Sequence, residues 1–216
     1  MPFDTYRLSQ ISKKLVQRAT PYIREGGAEK ALLVVGDSTG VGVGAVRPED
    51  SVAGRLAVHM QASRVENYSV SGARAKDLKG QIKNAKLPHY SIILVQIGAN
   101  DILHFQSAKK TAALLRDALH TLPKADAVYL MSAGNIGAAP LLPSLLRAYY
   151  SWETPSYHHE FTLLARSLGI TYINLYVPPE RDPFILDALH YFAPDKFHPN
   201  SEGYRLWFEQ LQKYLK

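Results

Sequence analysis

Five short segments suited to β-strands alternate along the chain with segments of helical periodicity. The strand segments are residues 32–35, 65–69, 91–97, 127–132 and 171–176. Between them, apolar side chains recur every three or four residues, as in Val52, Leu56 and Met60. Strands that alternate with helices predict a mostly parallel sheet with helices on both faces. The sequence therefore predicts an α/β protein, a three-layer α/β/α sandwich in which the carboxyl ends of the strands meet at one edge.

The first 25 residues form a separate amphipathic segment. Leu8, Ile11, Leu15 and Ala19 recur at helical spacing, and Pro21 ends the pattern. No linker or internal repeat divides the rest of the chain. We therefore predict an amphipathic helical extension over residues 1–25, followed by a single domain over residues 26–216. With 46% hydrophobic residues, such a domain is long enough to bury a sizeable core.

Positive charge is concentrated near the N terminus. The chain carries 25 Lys and Arg against 19 Asp and Glu, and six of these basic residues lie within residues 1–30, against three acidic ones. A basic amphipathic helix predicts peripheral contact with an anionic membrane, or a solvated face that favours solubility. No basic motif interleaved with aromatic residues is present, so no nucleic-acid partner is expected.

Residue types that the chain lacks exclude several classes of protein. The absence of Cys excludes disulfides, a thiol nucleophile and a thiolate metal site. The apolar segments are too short to span a bilayer, and the first twenty residues contain no continuous apolar stretch of the kind found in secretory signals. We therefore expect a cytoplasmic location, with any membrane contact peripheral. The oligomeric state is left open.

The loop after the first strand is rich in glycine and contains a serine. Gly40-x-Gly42-x-x-Ala45 partly matches a dinucleotide-binding fingerprint, but it begins four residues after the strand rather than at its end. Gly36-x-Ser38-x-Gly40 matches the nucleophile elbow of α/β-hydrolases. Only 35 residues precede this motif, too few for the strands that come before the elbow in that fold. The position argues against that fold and leaves Ser38 as a candidate nucleophile.

Further polar motifs follow the next strands and precede the last helical segment. They are Ser71-Gly72 after the second strand, Gly98-x-Asn100-Asp101 after the third, and Asp195-x-x-His198-Pro199-Asn200 before the terminal helix. With Gly36-Asp37-Ser38 they make four motifs, in the order found in the SGNH hydrolases, also called the GDSL esterase/lipase family. The sequence resembles this family from residue 36 to residue 200. One difference is Ala99, at a position where Thr is frequent in the family.

The resemblance implies a flavodoxin-like sheet of about five parallel strands and a Ser–His–Asp catalytic triad. Ser38 is then the nucleophile, His198 the general base and later the acid, and Asp195 the carboxylate that orients it. The N–H groups of Ser38 and Gly72 and the side-chain amide of Asn100 would form the oxyanion hole. These roles agree with chemistry, because a Ser hydroxyl needs a base and an oriented His can supply it. No metal or organic cofactor is expected.

Two other polar patterns compete with this assignment. Asp187-x-x-His190 repeats the spacing of the proposed pair, but only His198 is followed by Pro-Asn and an amphipathic helix, and we favour it for that reason. His158-His159-Glu160 resembles a metal cluster, yet adjacent side chains on a helix diverge by roughly 100°. We therefore expect a surface or hydrogen-bonding role for these histidines.

The function implied is hydrolysis of carboxylic esters, with a short to medium acyl chain, by a small-molecule esterase. Other activities of the same family are deacetylation of carbohydrates and cleavage of thioesters or lysophospholipids. A non-catalytic membrane-binding module is the alternative from a different class. Aromatic residues in two predicted loops, 149–157 and 176–194, line an acyl pocket or belong to the core. A histidine base predicts that activity rises near neutral pH.

Overall fold

The computed structural model describes residues 2–215. Met1, the first residue of the predicted extension, and Lys216, the last residue of the predicted domain, lie outside the described residues. The strands are β1 (Ala31–Gly36), β2 (Arg64–Asn67), β3 (His89–Gln96), β4 (Lys124–Met131) and β5 (Thr171–Ile173). The helices are α1 (Pro2–Arg18), α2 (Ser38–Val41), α3 (Val52–His59), α4 (Leu78–Ile82), α5 (Ala99–Leu103), α6 (Ala108–Leu119), α7 (Ser144–Leu168), α8 (Pro183–Leu186), α9 (Ala188–Tyr191) and α10 (Ser201–Gln212). Short 3₁₀ turns occur at Pro48–Asp50, Ala75–Asp77 and Ile136–Ala138.

All five strands are parallel and form one sheet in the order β2-β1-β3-β4-β5. This order is that of flavodoxin-like proteins, with a reversal of direction next to β1 and β3. The predicted α/β/α sandwich is therefore confirmed. Because every strand is parallel, the carboxyl ends of the strands lie at one edge, which we call the C-edge of the sheet.

Hydrophobic cores cover both faces of the sheet. On β1, Leu33 and Val35 point into the core shared with α4, α6 and α7, and Leu32 and Val34 point into the core shared with α3 and α10. Successive side chains of a strand point to opposite faces, so a strand covered on both sides is apolar throughout. This explains why β1 has no polar residue before Gly36.

Strands β2 and β5 end two and three residues earlier than predicted, and side-chain hydrogen bonds explain both ends. After β2, the Asn67 Oδ1 atom accepts a hydrogen bond from Ser69 N at 3.1 Å. After β5, the Asn174 Oδ1 atom accepts one from Tyr176 N at 2.9 Å. An Asn side chain that bonds its own backbone two residues ahead forms a turn in place of the sheet ladder. The polar residue after each apolar run therefore stops the strand.

The prediction of a loop over residues 149–157 is wrong, because this segment lies within α7, which continues through Pro155. Proline removes one helical hydrogen bond and normally ends a helix. Here the adjoining turns are fixed by burial of Tyr150, Tyr157 and Phe161 in the core. The Thr154 hydroxyl also donates to the Tyr150 carbonyl at 2.6 Å. Packing therefore overrides the local preference of Pro155.

The N-terminal extension contains the expected helix, α1. None of its described residues belongs to either hydrophobic core. The segment after α1 joins the domain before residue 26, since Tyr22 is buried in the core and Arg24 pairs with Val65 beside β2. Within residues 2–215, no helix combines the length and the apolar character needed to cross a membrane.

Candidate active site

Ser38 stands at the C-edge, directly after β1. The Asp37 carboxylate caps α2 by accepting hydrogen bonds from Thr39 N at 2.9 Å and from the Thr39 hydroxyl at 2.8 Å. Burial raises the pKa of Asp37 to about 6, although these bonds act in the opposite direction. Ser38 is the first helical residue, so its N–H has no acceptor within the helix. The turn therefore presents a hydroxyl and an unused N–H side by side.

Asp195 and His198 approach Ser38 from the segment that leads into α10. The Asp195 Oδ1 atom accepts hydrogen bonds from the backbone N–H groups of Phe197 and His198 at 3.0 and 3.1 Å. The Asp195 Oδ2 atom lies 2.6 Å from His198 Nδ1, and His198 Nε2 lies 3.0 Å from Ser38 Oγ. The fold thus brings three groups, separated by up to 160 positions, into one chain of hydrogen bonds.

The Asp195 carboxylate is fully buried yet remains in its charged form. Burial alone would raise its pKa, but the hydrogen bond from His198 and the two backbone N–H groups outweigh burial, and the pKa lies below its ordinary value. An ionised carboxylate at Nδ1 keeps the proton of the neutral imidazole on that nitrogen. The other nitrogen, Nε2, is then free to accept the proton of the Ser38 hydroxyl.

His198 is positioned partly by a glycine that the motifs did not single out. Gly44 has a φ of 96°, a conformation that side chains rarely adopt. A Cβ atom at this position would lie 3.2 Å from His198 Cβ and would collide with the Pro199 carbonyl. The Tyr204 hydroxyl of α10 donates to the neighbouring Val43 carbonyl at 2.7 Å. The glycine-rich loop therefore packs directly against the histidine segment.

The two remaining oxyanion candidates differ in their placement. Asn100 lines the same pocket as Ser38, and its Nδ2 atom donates to the Ala73 carbonyl at 3.0 Å. Gly72 is exposed and has a φ of 85°. It lines a separate, shallow depression whose walls come from residues 68–84. The structure thus brings Asn100 to the Ser38 pocket, whereas Gly72 lies on the loop beside it. Its place in an oxyanion hole stays a prediction.

The loop that carries Gly72 is tied to the start of α5 by two bonds. One is the Asn100–Ala73 bond, and the other joins Asp101 Oδ2 to Ala75 N at 3.0 Å. Asp101 is completely buried, and burial raises its pKa. The motif residue Asp101 therefore holds the loop after β2, which carries Gly72, against the start of α5, which carries Asn100.

A pocket of about 270 Å³ opens beside Ser38 and His198. Its walls come mainly from three segments, residues 133–139 after β4, residues 174–184 after β5, and part of α10. Most side chains that line the pocket are apolar, and among them are Ile136, Leu175, Phe184, Leu206 and Trp207, with Leu103 of α5. The first and third segments carry no motif that predicts a pocket, because the first consists mainly of small and aliphatic residues and the apolar residues of the third are typical of a helix that faces a core.

The aromatic stretches predicted as pocket loops separate into two groups. Tyr176, Phe184 and Phe192, from residues 176–194, line the pocket. No residue of 149–157 lines it, and Tyr150 and Tyr157 lie in the core. One buried carboxyl group, Asp182, also lies in the wall. Burial raises the pKa of Asp182 to about 6, although the hydrogen bond that it accepts from Phe184 N acts in the opposite direction.

The competing polar patterns do not join this constellation. Asp187 caps α9 by accepting a hydrogen bond from His190 N, and the His190 side chain is exposed. His158 is buried and bonds the Tyr172 hydroxyl, and burial lowers its pKa to about 4, while its neighbour His159 is exposed. Among residues 2–215, no group of three His, Asp or Glu side chains is arranged to hold a metal ion.

Comparison with known proteins identifies the family. The model of the GDSL-like lipase/acylhydrolase family matches residues 34–206, most of the chain. The chain belongs to this family. The resemblance drawn from the four motifs is thereby confirmed. No curated protein matches the sequence with significant similarity.

Solved structures of other family members have the same fold. A lipolytic G-D-S-L protein from Veillonella parvula is 17% identical, with a TM-score of 0.66 over 86% of this chain and 98% of that one. An extracellular lipase from Streptomyces rimosus is 15% identical, with a TM-score of 0.62 over 86% and 100%. An acetyl-xylooligosaccharide esterase from Geobacillus is 19% identical, with a TM-score of 0.62 over 87% and 94%. At these identities the likeness establishes the fold alone.

Proposed function

We propose that the protein is a serine esterase that hydrolyses carboxylic esters through an acyl-enzyme. The observation that carries this proposal is the chain of hydrogen bonds from Asp195 through His198 to Ser38, at 2.6 and 3.0 Å. It lies at one end of an apolar pocket, where a substrate ester would meet the hydroxyl. Nucleophile, base and orienting carboxylate are within reach of one another without any rearrangement.

In the proposed reaction, Ser38 Oγ attacks the ester carbonyl carbon while His198 Nε2 takes its proton. The resulting imidazolium is stabilised by the Asp195 carboxylate. Collapse of the tetrahedral intermediate breaks the bond to the alcohol oxygen, which receives the proton from His198. Water, activated by the same nitrogen, then attacks the acyl-Ser38 ester and releases the carboxylic acid. The two half-reactions use one base, as expected for this arrangement.

The oxyanion of each intermediate would be bound by groups next to Ser38. The Ser38 N–H is unused within α2, and the Asn100 amide has a second N–H besides the one that bonds Ala73. We propose these two donors, with the Gly72 N–H as a third. Donors that are fixed before the reaction stabilise the developing charge without reorganisation, and losing one costs roughly 10²–10³ in rate.

Pocket size supports an acyl group larger than acetyl. The pocket has a volume of about 270 Å³ and is lined mainly by apolar side chains. An acetyl group would leave most of this apolar space unfilled, and filling it with methylene groups gains binding energy. We therefore propose a medium-length acyl chain, and not a deacetylase, as the better description of the substrate.

Hydrolysis of p-nitrophenyl esters from acetate to dodecanoate tests the proposal. We expect kcat/KM to rise with chain length to a maximum at medium chains, and Ser38→Ala to lower kcat by at least about 10⁴-fold. Thr39→Ser in the same turn is the matched control, since it keeps the hydroxyl that bonds Asp37. Turnover that survives in pure Ser38→Ala protein would show that Ser38 is not the nucleophile. A maximum at acetate would favour the carbohydrate-deacetylase alternative.

A further inference from the structure

Exposed apolar side chains are distributed unevenly over the domain. Outside α1, six large apolar side chains are more exposed than any other in residues 6–215, from 61% for Phe105 to 88% for Leu189. We call them the apolar rim, and they are Val46, Phe105, Leu145, Trp152, Leu186 and Leu189. Each lies in a loop or short helix near the carboxyl end of a strand or in the first half of α7, whereas the less exposed Val58 and Leu163 lie near the far ends of α3 and α7. The rim is therefore confined to the C-edge, where Ser38 and His198 also lie.

The opposite edge of the sheet exposes charged side chains together with apolar ones, such as Val58 and Leu163, that are less exposed than those of the rim. The segments that enter the strands expose Lys30 before β1, Lys86 before β3 and Lys124 at the start of β4. Scattered exposed apolar residues are normal on soluble proteins, but their concentration around one site is a sign of interaction. The most exposed large apolar side chains outside α1 thus lie at the C-edge, and those toward the opposite edge are less exposed.

The first half of α7 supplies two of the six side chains of the apolar rim. In residues 143–156, all of which the structure describes, every exposed residue is uncharged, with Leu145 and Trp152 the largest. A surface helix usually carries charged residues on its outer face. The inner face of α7 contacts the pocket wall, since Arg147 Nε donates to the Gly137 carbonyl at 3.0 Å. The apolar outer face is thus rigidly linked to the pocket.

Phe105 adds backbone strain to exposure. Its φ is 54°, a left-handed conformation that costs a bulky residue energy and that Gly or Asn usually occupies after a helix. The ring is 5.4 Å from Tyr149 and 5.8 Å from Tyr150, measured between centroids, and Tyr150 in turn bonds the Leu103 carbonyl of the pocket wall. An exposed aromatic ring held in a strained turn beside a pocket indicates a functional contact.

We propose that the apolar rim docks the C-edge onto a lipid surface that contains the ester substrate. The proposal rests on the proposed function, because it states where that substrate resides. The apolar pocket requires an ester with an apolar acyl chain, and such amphiphiles collect in lipid assemblies. A protein partner or a second copy of the chain on the same rim would cover the pocket mouth, whereas a lipid surface buries the rim and delivers the substrate together.

Binding of the full-length protein to phosphatidylcholine vesicles tests the docking. We expect co-sedimentation of the wild-type protein and a blue shift of Trp152 emission, since the other tryptophan, Trp207, is already buried. The double variant Leu145→Ser/Leu189→Ser should lower the vesicle partition coefficient at least about tenfold, because both leucines lose their apolar contact with lipid. The matched control Val58→Ser/Leu163→Ser removes two exposed apolar residues away from the rim and should bind as wild type.

Turnover measurements separate docking from catalysis. The rim variant should hydrolyse dissolved p-nitrophenyl butyrate at the wild-type rate, which also shows that it folds, and should lose at least about tenfold on the same ester class held in vesicles. Ser38→Ala should bind vesicles as wild type does. If the wild-type protein binds vesicles but its turnover of every ester equals that of Ser38→Ala, the proposed function fails and the docking stands.

Three results would overturn the docking proposal. The first is wild-type protein that does not bind the vesicles. The second is a rim variant that binds as well as its control. The third is binding that Lys13→Glu/Lys14→Glu in α1 abolishes and the rim variant leaves unchanged, since the contact would then be made by the basic helix.

Discussion

The Asp195 carboxylate performs two tasks with its two oxygens. Oδ1 fixes the backbone ahead of α10, and Oδ2 binds His198 Nδ1. Asp195→Asn keeps the size of the side chain but replaces one carboxylate oxygen by an NH2 group. An NH2 group that faces His198 Nδ1 favours the imidazole tautomer with its proton on Nε2, which cannot accept the Ser38 proton. We expect kcat for a soluble ester to fall by about 10³–10⁴-fold, with little change in KM. Steady-state kinetics on a p-nitrophenyl ester measure this loss.

Asp187→Asn is the control for that substitution, because Asp187 belongs to the competing Asp-x-x-His pair and Asn can also cap α9. Its kinetics should equal those of the wild type. If Asp187→Asn impaired catalysis as strongly as Asp195→Asn, the assignment of the triad to the downstream pair would be wrong. Spacing alone could not decide between the two pairs, whereas the 3.0 Å distance from His198 to Ser38 separates them.

At the level of whole elements, sequence patterns located the strands because most of them contain a short apolar run that ends at a polar or glycine residue. Three of the four motifs sit at the ends of strands, so their meeting at the C-edge follows from parallel topology, and the fourth reaches the same edge on the segment before α10. Helix α7 escaped prediction, since Pro155 and a cluster of aromatic residues resemble a loop locally. The pocket walls after β4 also escaped, because Gly, Ala and Ile at residues 133–139 become a wall only through tertiary packing.

Helix α10 begins three residues after the catalytic histidine candidate, so its start controls the position of His198. Asn200 Oδ1 accepts from Glu202 N and Gly203 N, and Asn200 Nδ2 donates to the His190 and Phe192 carbonyls. Asn200→Ala should lower the free energy of unfolding by about 1–2 kcal/mol, as loss of an N-cap does. Because His198 would shift, kcat should also fall, by about tenfold to a hundredfold.

Ser107→Ala provides the comparison, because Ser107 caps α6 away from the pocket. It should cost about 1 kcal/mol or less in urea denaturation and leave kcat unchanged. Equal loss of activity in both variants would mean that kcat reports general stability. An unchanged kcat in a destabilised Asn200→Ala protein would mean that His198 is held by Asp195 and Gly44 without the help of the cap.

At the scale of the whole molecule, the structure suggests that the independent domain begins before residue 26. Tyr22 is 7% exposed within the core, its hydroxyl accepts a hydrogen bond from Arg24 at 2.6 Å, and Arg24 also donates to the Ala62 carbonyl at 2.8 Å. Helix α1 contributes to neither core. A chain that starts at Pro21 should therefore keep the full-length urea midpoint and free energy of unfolding, within about 0.5 kcal/mol.

A chain that starts at Gly26 should instead lose about 3 kcal/mol or more, because it lacks a buried aromatic side chain and the pairing of Arg24 with Val65. Urea unfolding of the three chains, followed by circular dichroism, measures both differences. Destabilisation of the chain from Pro21 would show that α1 packs on the domain in a way that the two cores do not reveal. Equal stability of all three would place the boundary at residue 26, with Tyr22 filling a site that closes without it.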